Sequence, residues 1–324
     1  MSTLTHDRPQ AAPQSRTTSG LVIALASALA FGVGGPLAKP LLDAGWSPGA
    51  VVLARVGLGA LLVLPLGLRA LGGRWRLLRT HARLVVAYGL LGVVVAQFCY
   101  FSAVSHMQVG PALMIEYTAP AAVVVWLWLR HGQRPTGLTF VGAATCAVGL
   151  VLVLDVLTGA DLSLAGVGWA LGAMVGLVGY FLISGDDSTG LPPLTLAAGG
   201  LVVGAVVLAG LGLVGLLPME TASTSVTYAG LDVAWWVPLL LLGLISAAVA
   251  YVTGIAAARR LGSRLASFVA LSEVVTGVLF AWLLLGELPR GVQLLGGLLV
   301  LAGVVVVKLG EPRVAPVVPE EAWA

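Results

Sequence analysis

The sequence predicts an all-α membrane protein with ten transmembrane helices arranged as two inverted five-helix repeats. Three observations predict this fold: an apolar composition, ten apolar stretches along the chain, and a similarity between its two halves. Hydrophobic residues make up 59% of the 324 residues and charged residues only 10%, whereas an ordinary soluble domain contains about 25% charged residues. This composition excludes a soluble enzyme, a DNA-binding protein, a coiled coil and a disordered chain.

The ten apolar stretches are each about as long as a helix that crosses a bilayer. In chain order they are Gly20–Ala38, Gly49–Leu68, Leu84–Val104, Val109–Leu129, Gly137–Asp155, Leu164–Ser184, Leu194–Leu217, Trp235–Ala257, Leu265–Leu285 and Val292–Val307. The connections between them are short, so they leave no room for a soluble domain. Residues 1–19 are predicted to form a disordered cytoplasmic tail, and residues 309–324 a second cytoplasmic tail.

The basic residues predict which side of the membrane each loop faces. With the N-terminus placed inside, 14 Lys and Arg residues fall on inside segments and 2 on outside segments, and Arg55 alone lies within a span. Lys and Arg collect in the cytoplasmic loops of membrane proteins. The sequence therefore predicts a multi-pass protein of the plasma (inner) membrane with both termini in the cytoplasm.

The two halves of the chain are similar at a fixed offset. Residues 132–142 align with residues 286–296 without a gap, and Gly149 then falls on Gly303, at an offset of 154 residues. Four glycines and one proline match in register. Each half holds five predicted spans, an odd number, so the second half must enter the membrane from the opposite side. Inverted repeats are typical of secondary transporters; the alternative is a duplication that only builds a helix bundle.

Four motifs carry a resemblance to a known family. They are Phe31-Gly32 followed by Lys39, Tyr117-Thr-Ala-Pro120, Ala250-Tyr251 with Arg259–Gly262 and Leu271–Glu273, and Leu285–Glu287. On these residues the sequence resembles the drug/metabolite transporter superfamily, EamA type, as two repeats over residues 20–156 and 164–308. The resemblance implies a ten-helix inner-membrane transporter of small metabolites, often an exporter, and it does not fix the substrate. Val274 stands where the family usually has proline, so the resemblance supports a broken helix for the fourth span but not for the ninth.

Glu116 is the first of three ionisable residues within predicted spans, where each charge costs about 2.5–3.5 kcal/mol on insertion scales. Tyr117 follows it directly and Pro120 lies four residues on. Because proline has no backbone N–H, it cannot donate to the Glu116 carbonyl. Glu116 is therefore a candidate for binding a cationic or amino group, or for carrying a coupling proton. The alternative is a buried pair with Arg55 that only fixes helix packing.

Glu273 and Arg55 are the other two intramembrane charges. Under the 154-residue offset, Glu116 and Glu273 are shifted by three positions, which is nearly the same helix face. Both acids are therefore predicted to face one central cavity, with one carboxylate for substrate and one for a proton. The alternative for Glu273 is a structural pair or a helix-end acid. Arg55 is a candidate for binding a substrate carboxylate or for neutralising either acid.

Secondary candidates give hydrogen-bonding groups in an otherwise apolar wall. They are Gln97, Tyr100, Tyr180 and Tyr251, together with Tyr117 and Pro120 beside Glu116. For Gln97, Tyr100, Tyr180 and Tyr251 the alternative role is to hold helices together.

The sequence thus predicts a secondary transporter that exports small organic metabolites, such as amino acids or related compounds, or drugs, across the plasma membrane by alternating access. Proton coupling is a hypothesis. The alternatives are an uncoupled facilitator, a membrane-embedded enzyme or lipid-handling protein, and a non-transporting scaffold. A Walker loop and a His/Cys/Asp cluster are absent from the sequence, so neither a cofactor nor a metal is expected. The expected partners are a small-molecule substrate and the lipid bilayer, without nucleic acid, and a homo-oligomer stays open.

Overall fold

The computed structural model describes residues 13–119, 122, 136–153, 163–186 and 188–310. Within these residues the chain is mainly helical, with short connections. The helices are α1 (Pro13–Gly32), α2 (Gly34–Asp43), α3 (Pro48–Leu71), α4 (Trp75–Thr80), α5 (Ala82–Tyr88), α6 (Ala96–Val104), α7 (Val109–Glu116), α8 (Gly137–Val153), α9 (Leu164–Ser184), α10 (Pro193–Leu213), α11 (Trp236–Leu241), α12 (Ala250–Val269), α13 (Ser272–Leu285) and α14 (Gly291–Gly310). Two π-helical stretches, Gly89–Val95 and Leu242–Val249, join α5 to α6 and α11 to α12.

Six helical runs among the described residues are long and apolar enough to cross a membrane. They are Thr18–Asp43, Pro48–Leu71, Ala82–Val104, Leu164–Ser184, Pro193–Leu213 and Trp236–Gly262. Three further apolar helices are shorter than the roughly 20 residues that a span needs; these are Gly137–Val153, Ser272–Leu285 and Gly291–Val307. The protein is therefore an all-α membrane protein, and six of the ten predicted spans reach full length in the described chain. The predicted fourth span, Val109–Leu129, continues beyond the described residues.

Two features differ from the sequence prediction. Helix α1 begins at Pro13, inside the predicted disordered tail, because hydropathy detects the apolar part of a helix and not its polar beginning. A two-stranded antiparallel sheet, β1 (Val226–Tyr228) and β2 (Leu231–Val233), lies in a chain predicted to be all-α. Its turn holds Ala229 at φ 48° and Gly230 at φ 82°, the positive φ values of a tight hairpin. Strands of three residues are too short to give a periodic signal.

One end of the bundle, the hairpin end, is crossed by residues 217–233. Hydrogen bonds tie this segment to α2, to the start of α3 and to the end of α13. They are Ser47 Oγ to the Pro218 carbonyl at 2.7 Å, Trp46 Nε1 to the Ala222 carbonyl at 2.8 Å, Tyr228 Oη to the Leu37 carbonyl at 2.6 Å, and Ala229 N to the Leu284 carbonyl at 2.8 Å. The segment therefore connects helices that are far apart in the sequence.

Helices α8 and α14 form a close antiparallel pair through glycines. A Cβ added to Gly142 would lie 2.7 Å from the Gly303 carbonyl oxygen, and one added to Gly149 would lie 2.7 Å from the Gly296 carbonyl oxygen. The two backbones approach so closely that only glycine fits at these positions. Between the two glycine contacts, Cys146 Sγ lies 3.5 Å from the carbonyl oxygen of residue 300.

Candidate functional site

The fourth span is interrupted beside Glu116. Helix α7 ends at Glu116, and Tyr117 and Thr118 form a turn before the helix resumes at Ala119. The Thr118 N–H donates to the Ile115 carbonyl at 3.1 Å, a three-residue spacing that tightens the turn. The Thr118 hydroxyl donates to the same carbonyl at 2.7 Å. Pro120, which was expected to contribute to this interruption because it cannot donate to the Glu116 carbonyl, lies outside the described residues.

The ninth span is interrupted as well, although it has Val274 in place of the family's proline. Helix α12 is divided by a kink at Gly262 (φ 76°, ψ 158°), and its second part, in the ninth span, ends at Val269. Two turn residues then precede Ser272, the first residue of α13. The Glu273 N–H donates to the Ala270 carbonyl at 2.9 Å, again a three-residue spacing. The Ser272 hydroxyl donates to the Val269 carbonyl at 2.6 Å. A side-chain hydroxyl thus satisfies a carbonyl at the interruption, so this break needs no proline.

A central cavity lies between the two interruptions. Its volume is about 50 Å³, and its described polar lining residues include Glu116 and Glu273. Phe31, Tyr180 and Phe181 contribute aromatic rings, and small Ala and Gly residues form much of the remaining wall. The prediction that the two acids face one cavity is therefore consistent with the geometry.

The two acids in the cavity have different hydrogen-bond partners. The Tyr117 hydroxyl donates to Glu273 Oε2 at 2.5 Å, which joins the interruption of the fourth span to the start of α13. Glu116 is only 5% exposed, and among the described residues its carboxylate accepts no hydrogen bond. Within the described chain, the Glu116 carboxylate therefore lines the cavity without a hydrogen-bond donor.

Arg55 lies behind the cavity wall and is 1% exposed. Its Nη1 donates to the side chain of Gln97, and its Nη2 donates to both the carbonyl and, at 2.9 Å, the hydroxyl of Ser246. The guanidinium carbon also lies 5.2 Å from the centre of the Phe101 ring, within the range of a cation–π contact. Among the described residues Arg55 forms no ion pair with Glu116, which contradicts the alternative of a direct Arg55–Glu116 pair.

Both π-helical stretches have a carbonyl that is bound by a side chain. The Gly92 carbonyl, in the first stretch, accepts from the Tyr251 hydroxyl at 2.8 Å. The Ser246 carbonyl, in the second stretch, accepts from Arg55. A π-helical turn changes the regular backbone pairing, and these side chains supply the donors. The sequence did not reveal the stretches, although Gly92 and Ser246 are themselves separated by 154 residues.

Four aromatic rings form a cluster on one side of the cavity. The centres of the Phe31 and Tyr180 rings are 5.9 Å apart, and Tyr251 lies 5.1 Å from Phe31 and 5.9 Å from Tyr180. Tyr88 completes the cluster at 5.9 Å from Tyr180. Sequence reasoning missed Phe31 and Tyr88 as site residues, since an aromatic residue in a span gives no signal of which neighbours it meets.

The predicted site residues that the structure describes, all except Pro120, fall into three groups. The cavity brings together Glu116, Glu273, Tyr117, Gln97 and Tyr180. Arg55 and Tyr251 stand behind the wall and hold it, whereas Tyr100 packs against Phe101 with ring centres 5.3 Å apart and is not among the lining residues. Within the described chain, no group of three or more His, Cys, Asp or Glu residues is placed to hold a metal ion.

The hairpin end carries a separate polar group. Glu287 Oε2 accepts from the Val109 N–H at 3.2 Å, at the first residue of α7. Burial raises the pKa of the Glu287 carboxyl above its ordinary value. Nearby, Lys39 Nζ and Asp43 Oδ1 form an ion pair at 2.8 Å. Glu287 thus contacts the positive end of the helix that ends at Glu116.

Comparison with known proteins agrees with this geometry. A sequence profile of the EamA-like transporter family matches residues 18–155 and 164–309. The chain belongs to this family. The resemblance stated from the sequence motifs is therefore confirmed, and this EamA-like protein is a multi-pass membrane transporter of small molecules.

Two relatives of this EamA-like chain carry the same description. It is 27% identical over 270 residues to the threonine/homoserine exporter RhtA of Salmonella typhimurium strain SL1344, and equally to that of strain LT2. Each match covers 81% of this chain and 82% of the exporter. A solved crystal structure with 20% sequence identity superposes with a TM-score of 0.59, covering 90% of this chain and 97% of that one. This last likeness shows a shared fold.

Proposed function

We propose that this protein exports small organic metabolites, namely amino acids or related compounds, or drugs, across the plasma membrane by alternating access. The observation that carries the proposal is the central cavity, where two interrupted helices from different halves of the chain each place a carboxylate. Similarity to a threonine/homoserine exporter supports export of a small amino compound. The proposed architecture is ten helices in two inverted repeats, residues 20–156 and 164–308.

Matching backbone features support the inverted repeat. The π-helical stretch Gly89–Val95 lies 154 residues before positions 243–249 of the second stretch. Helices α8 and α14 begin at Gly137 and Gly291, again 154 residues apart. The hydroxyls that bind a carbonyl at the two interruptions belong to Thr118 and Ser272, at the same offset. The π-helical stretches and the two hydroxyls recur at the 154-residue offset in parts of the chain that lie outside the aligned segments 132–142 and 286–296. They therefore support the repeat independently of that alignment.

The contact between α8 and α14 supports a two-fold relation between the halves. Under the 154-residue offset, Gly142 corresponds to Gly296 and Gly149 to Gly303. In the structure Gly142 contacts Gly303, and Gly149 contacts Gly296, so each glycine of α8 contacts the counterpart of the other. This self-complementary pattern is what a two-fold axis produces. Cys146 contacts residue 300, its own equivalent, as expected for a position at that axis. Such pseudo-symmetry is common in transporters that exchange inward-open and outward-open states.

The position of the cavity supports loading from the side of the N-terminus. On α1 it is lined from Ala24 to Phe31, whereas Leu37, further along the same run, is bonded to the hairpin end. On α12 the lining residue Ala257 likewise lies away from the hairpin end. With the N-terminus in the cytoplasm, as the distribution of basic residues indicates, this is a state in which the cavity lies toward the inside and residues 217–233 cross the outer end. That state suits an exporter before release.

Proton coupling through Glu116 or Glu273 is part of the proposal. A carboxylate within a bilayer is costly unless a proton or a cation neutralises it. Among the described residues neither acid forms an ion pair. Exchange of a proton for a substrate on these carboxylates would couple export to the proton gradient.

The test is transport by purified protein in proteoliposomes, with a panel of amino acids including homoserine, sugars, polyamines and cationic dyes. We expect flux of one class, stimulated by an imposed pH gradient and lost in a Glu116→Gln/Glu273→Gln variant. Glu220→Gln, which removes an exposed acid on the hairpin-end loop, is the matched control. Unchanged pH dependence in the double variant would contradict proton coupling, and flux that ignores every gradient would favour an uncoupled facilitator.

A further inference from the structure

We infer that the central cavity recognises its substrate by a positively charged ammonium group and makes no ionic contact with a substrate carboxylate. The inference rests on the proposed function, because it names the chemical class that the proposed exporter selects. A primary amine with a short polar or apolar chain is then a sufficient ligand, and the carboxylate of an amino acid is not part of the recognition.

The charges of the lining residues are one-sided. Glu116 and Glu273 both line the cavity, and among its described lining residues none is Lys, Arg or His. Two carboxylates in a largely apolar surrounding attract a cation strongly, because the effective dielectric constant there is lower than that of bulk water. An anionic ligand in the same space would face repulsion from both. The cavity therefore matches a ligand with net positive charge.

Arg55, the nearest intramembrane cation, is already engaged. Two of its three nitrogens hold Gln97 and Ser246, and Phe101 covers the guanidinium. The third, Nε, is buried without a partner among the described residues, and Arg55 is not a lining residue. Gln97 is the residue that lines the cavity in front of it. Because Gln97 stands between Arg55 and the cavity, a substrate carboxylate would have to displace Gln97 to reach the guanidinium.

Aromatic rings add to the attraction for a cation. Phe31, Tyr117, Tyr180 and Phe181 all line the cavity. Tyr180 is held edge-to-face by its neighbours, at interplanar angles of 86° to Phe31 and 79° to Phe181. The faces of such rings attract an ammonium group within about 6 Å of the ring centre. Carboxylates and aromatic faces in one space are the two chemistries that recognise an amine.

The apolar wall of the cavity indicates the chemistry of the part of the ligand that lies beyond the ammonium group. Ala24, Ala28, Ala257 and Ala266 are among the lining residues, and their methyl groups offer contact without hydrogen bonding. A short aliphatic chain fits such a wall, while the amide of Gln97 gives one polar contact. The ligand class is therefore a small primary amine, with a hydroxyl tolerated.

Three probes of matched shape test the inference on the full-length protein. They are 3-aminopropan-1-ol, which has the amine alone, homoserine, which adds a carboxylate, and 4-hydroxybutyrate, which has the carboxylate alone. Binding to purified protein in detergent is measured by the ligand-dependent rise in melting temperature. We expect 3-aminopropan-1-ol to bind at least as tightly as homoserine and 4-hydroxybutyrate not to bind.

Glutamine variants test whether Glu116 and Glu273 are responsible for the selectivity for an amine. We expect Glu273→Gln to weaken binding of 3-aminopropan-1-ol about 100-fold and Glu116→Gln about tenfold, since each removes one partner of a buried charge contact. The control Glu220→Gln is expected to bind like the unaltered protein. The comparison of the three probes uses the unaltered protein, so it decides the inference even if a variant fails to fold.

The outcomes separate this inference from the proposed function. Tenfold tighter binding of homoserine than of 3-aminopropan-1-ol, or any binding of 4-hydroxybutyrate, would overturn amine recognition while leaving export in place. Folded protein that binds none of the probes at millimolar concentration would also overturn it. Binding of the amine without flux of any compound in proteoliposomes would uphold the amine site and contradict the exporter.

Discussion

The fourth and ninth spans have similar interruptions but place their acids at opposite helix ends. Glu116 is the last residue of α7, whereas Glu273 lies in the first turn of α13. The N-terminus of a helix carries partial positive charge and its C-terminus partial negative charge, worth about 0.3–1 kcal/mol to a nearby ionised group. The same backbone feature therefore favours negative charge at Glu273 and disfavours it at Glu116. A repeat thus gives two acids different chemistry without a change of side chain.

This difference predicts a division of roles. Glu273, favoured as a carboxylate and positioned by the Tyr117 hydroxyl, is suited to hold the ammonium group. Glu116, at the negative end of α7 and without a hydrogen bond among the described residues, is suited to take up a proton. The predictions below test this division, beginning with the largest expected effect.

The two glutamine variants should separate in their pH dependence. Glu273→Gln is expected to reduce amine binding about 100-fold at every pH, because the cation loses its main partner. Glu116→Gln is expected to keep measurable flux while losing the stimulation by a pH gradient. Flux assays with and without a pH gradient check this. Equal losses of binding and of coupling in both variants would contradict the division of roles.

Tyr117→Phe removes the hydroxyl that joins the two interruptions. We expect about fivefold weaker binding of 3-aminopropan-1-ol, because one hydrogen bond of about 1 kcal/mol no longer positions Glu273. Tyr100→Phe is the matched control, since Tyr100 is outside the lining and an equal loss there would point to a general packing effect. The measurement is the same melting-temperature titration.

The hydroxyls at the interruptions should contribute unequally to stability. We expect Ser272→Ala to lower the free energy of unfolding by about 1 kcal/mol, since the Val269 carbonyl loses its side-chain donor. Thr118→Ala is expected to cost less, because the Thr118 N–H already donates to the same Ile115 carbonyl. The two variants are compared by thermal unfolding, with the folded fraction measured by size-exclusion chromatography. A larger loss of stability in Thr118→Ala than in Ser272→Ala would contradict the unequal contribution of the two hydroxyls.

Glu287→Gln has the smallest expected effect. It replaces the carboxylate that accepts from the Val109 N–H at the start of α7 by a neutral acceptor. We expect a loss of about 0.5 kcal/mol in the free energy of unfolding, from the weaker interaction with the helix dipole. Glu220→Gln serves again as the control, and an unchanged melting temperature in both variants would show that the contact at α7 contributes nothing measurable.

Much of the fold could be predicted, because a helix that crosses a bilayer is recognised from the length and apolar composition of its sequence. The sixth span, Leu164–Ser184, has the same bounds in the sequence prediction and in the structure. The central position of Glu116 and Glu273 was also predicted, because a charge in an apolar stretch stands out and the repeat relates the two positions. The ten-span count, the orientation and the roles of these acids stay predictions.

Other parts of the site could not be predicted because they depend on contacts between distant residues. Arg55 binds Ser246, which is 191 residues away in the sequence, and Gln97, which is 42 residues away. The hydropathy pattern does not reveal such contacts, so the two acids were predicted as the partners of Arg55 instead. The break in the ninth span depends on one hydroxyl at Ser272 and lacks the proline signal. The π-helical stretches likewise have donors that come from the tertiary fold.

The strand pair at the hairpin end has a consequence for energetics. It links α2 to α13 through the bonds of Tyr228 and Ala229, and the described residues contain no second strand pair at the opposite end. Opening the hairpin end must therefore break at least one hydrogen bond, of about 1 kcal/mol, that opening the other end leaves intact. In the proposed alternating-access cycle, this bond contributes about 1 kcal/mol toward the state closed at the hairpin end. A substrate that favours the state open at the hairpin end has to offset that contribution.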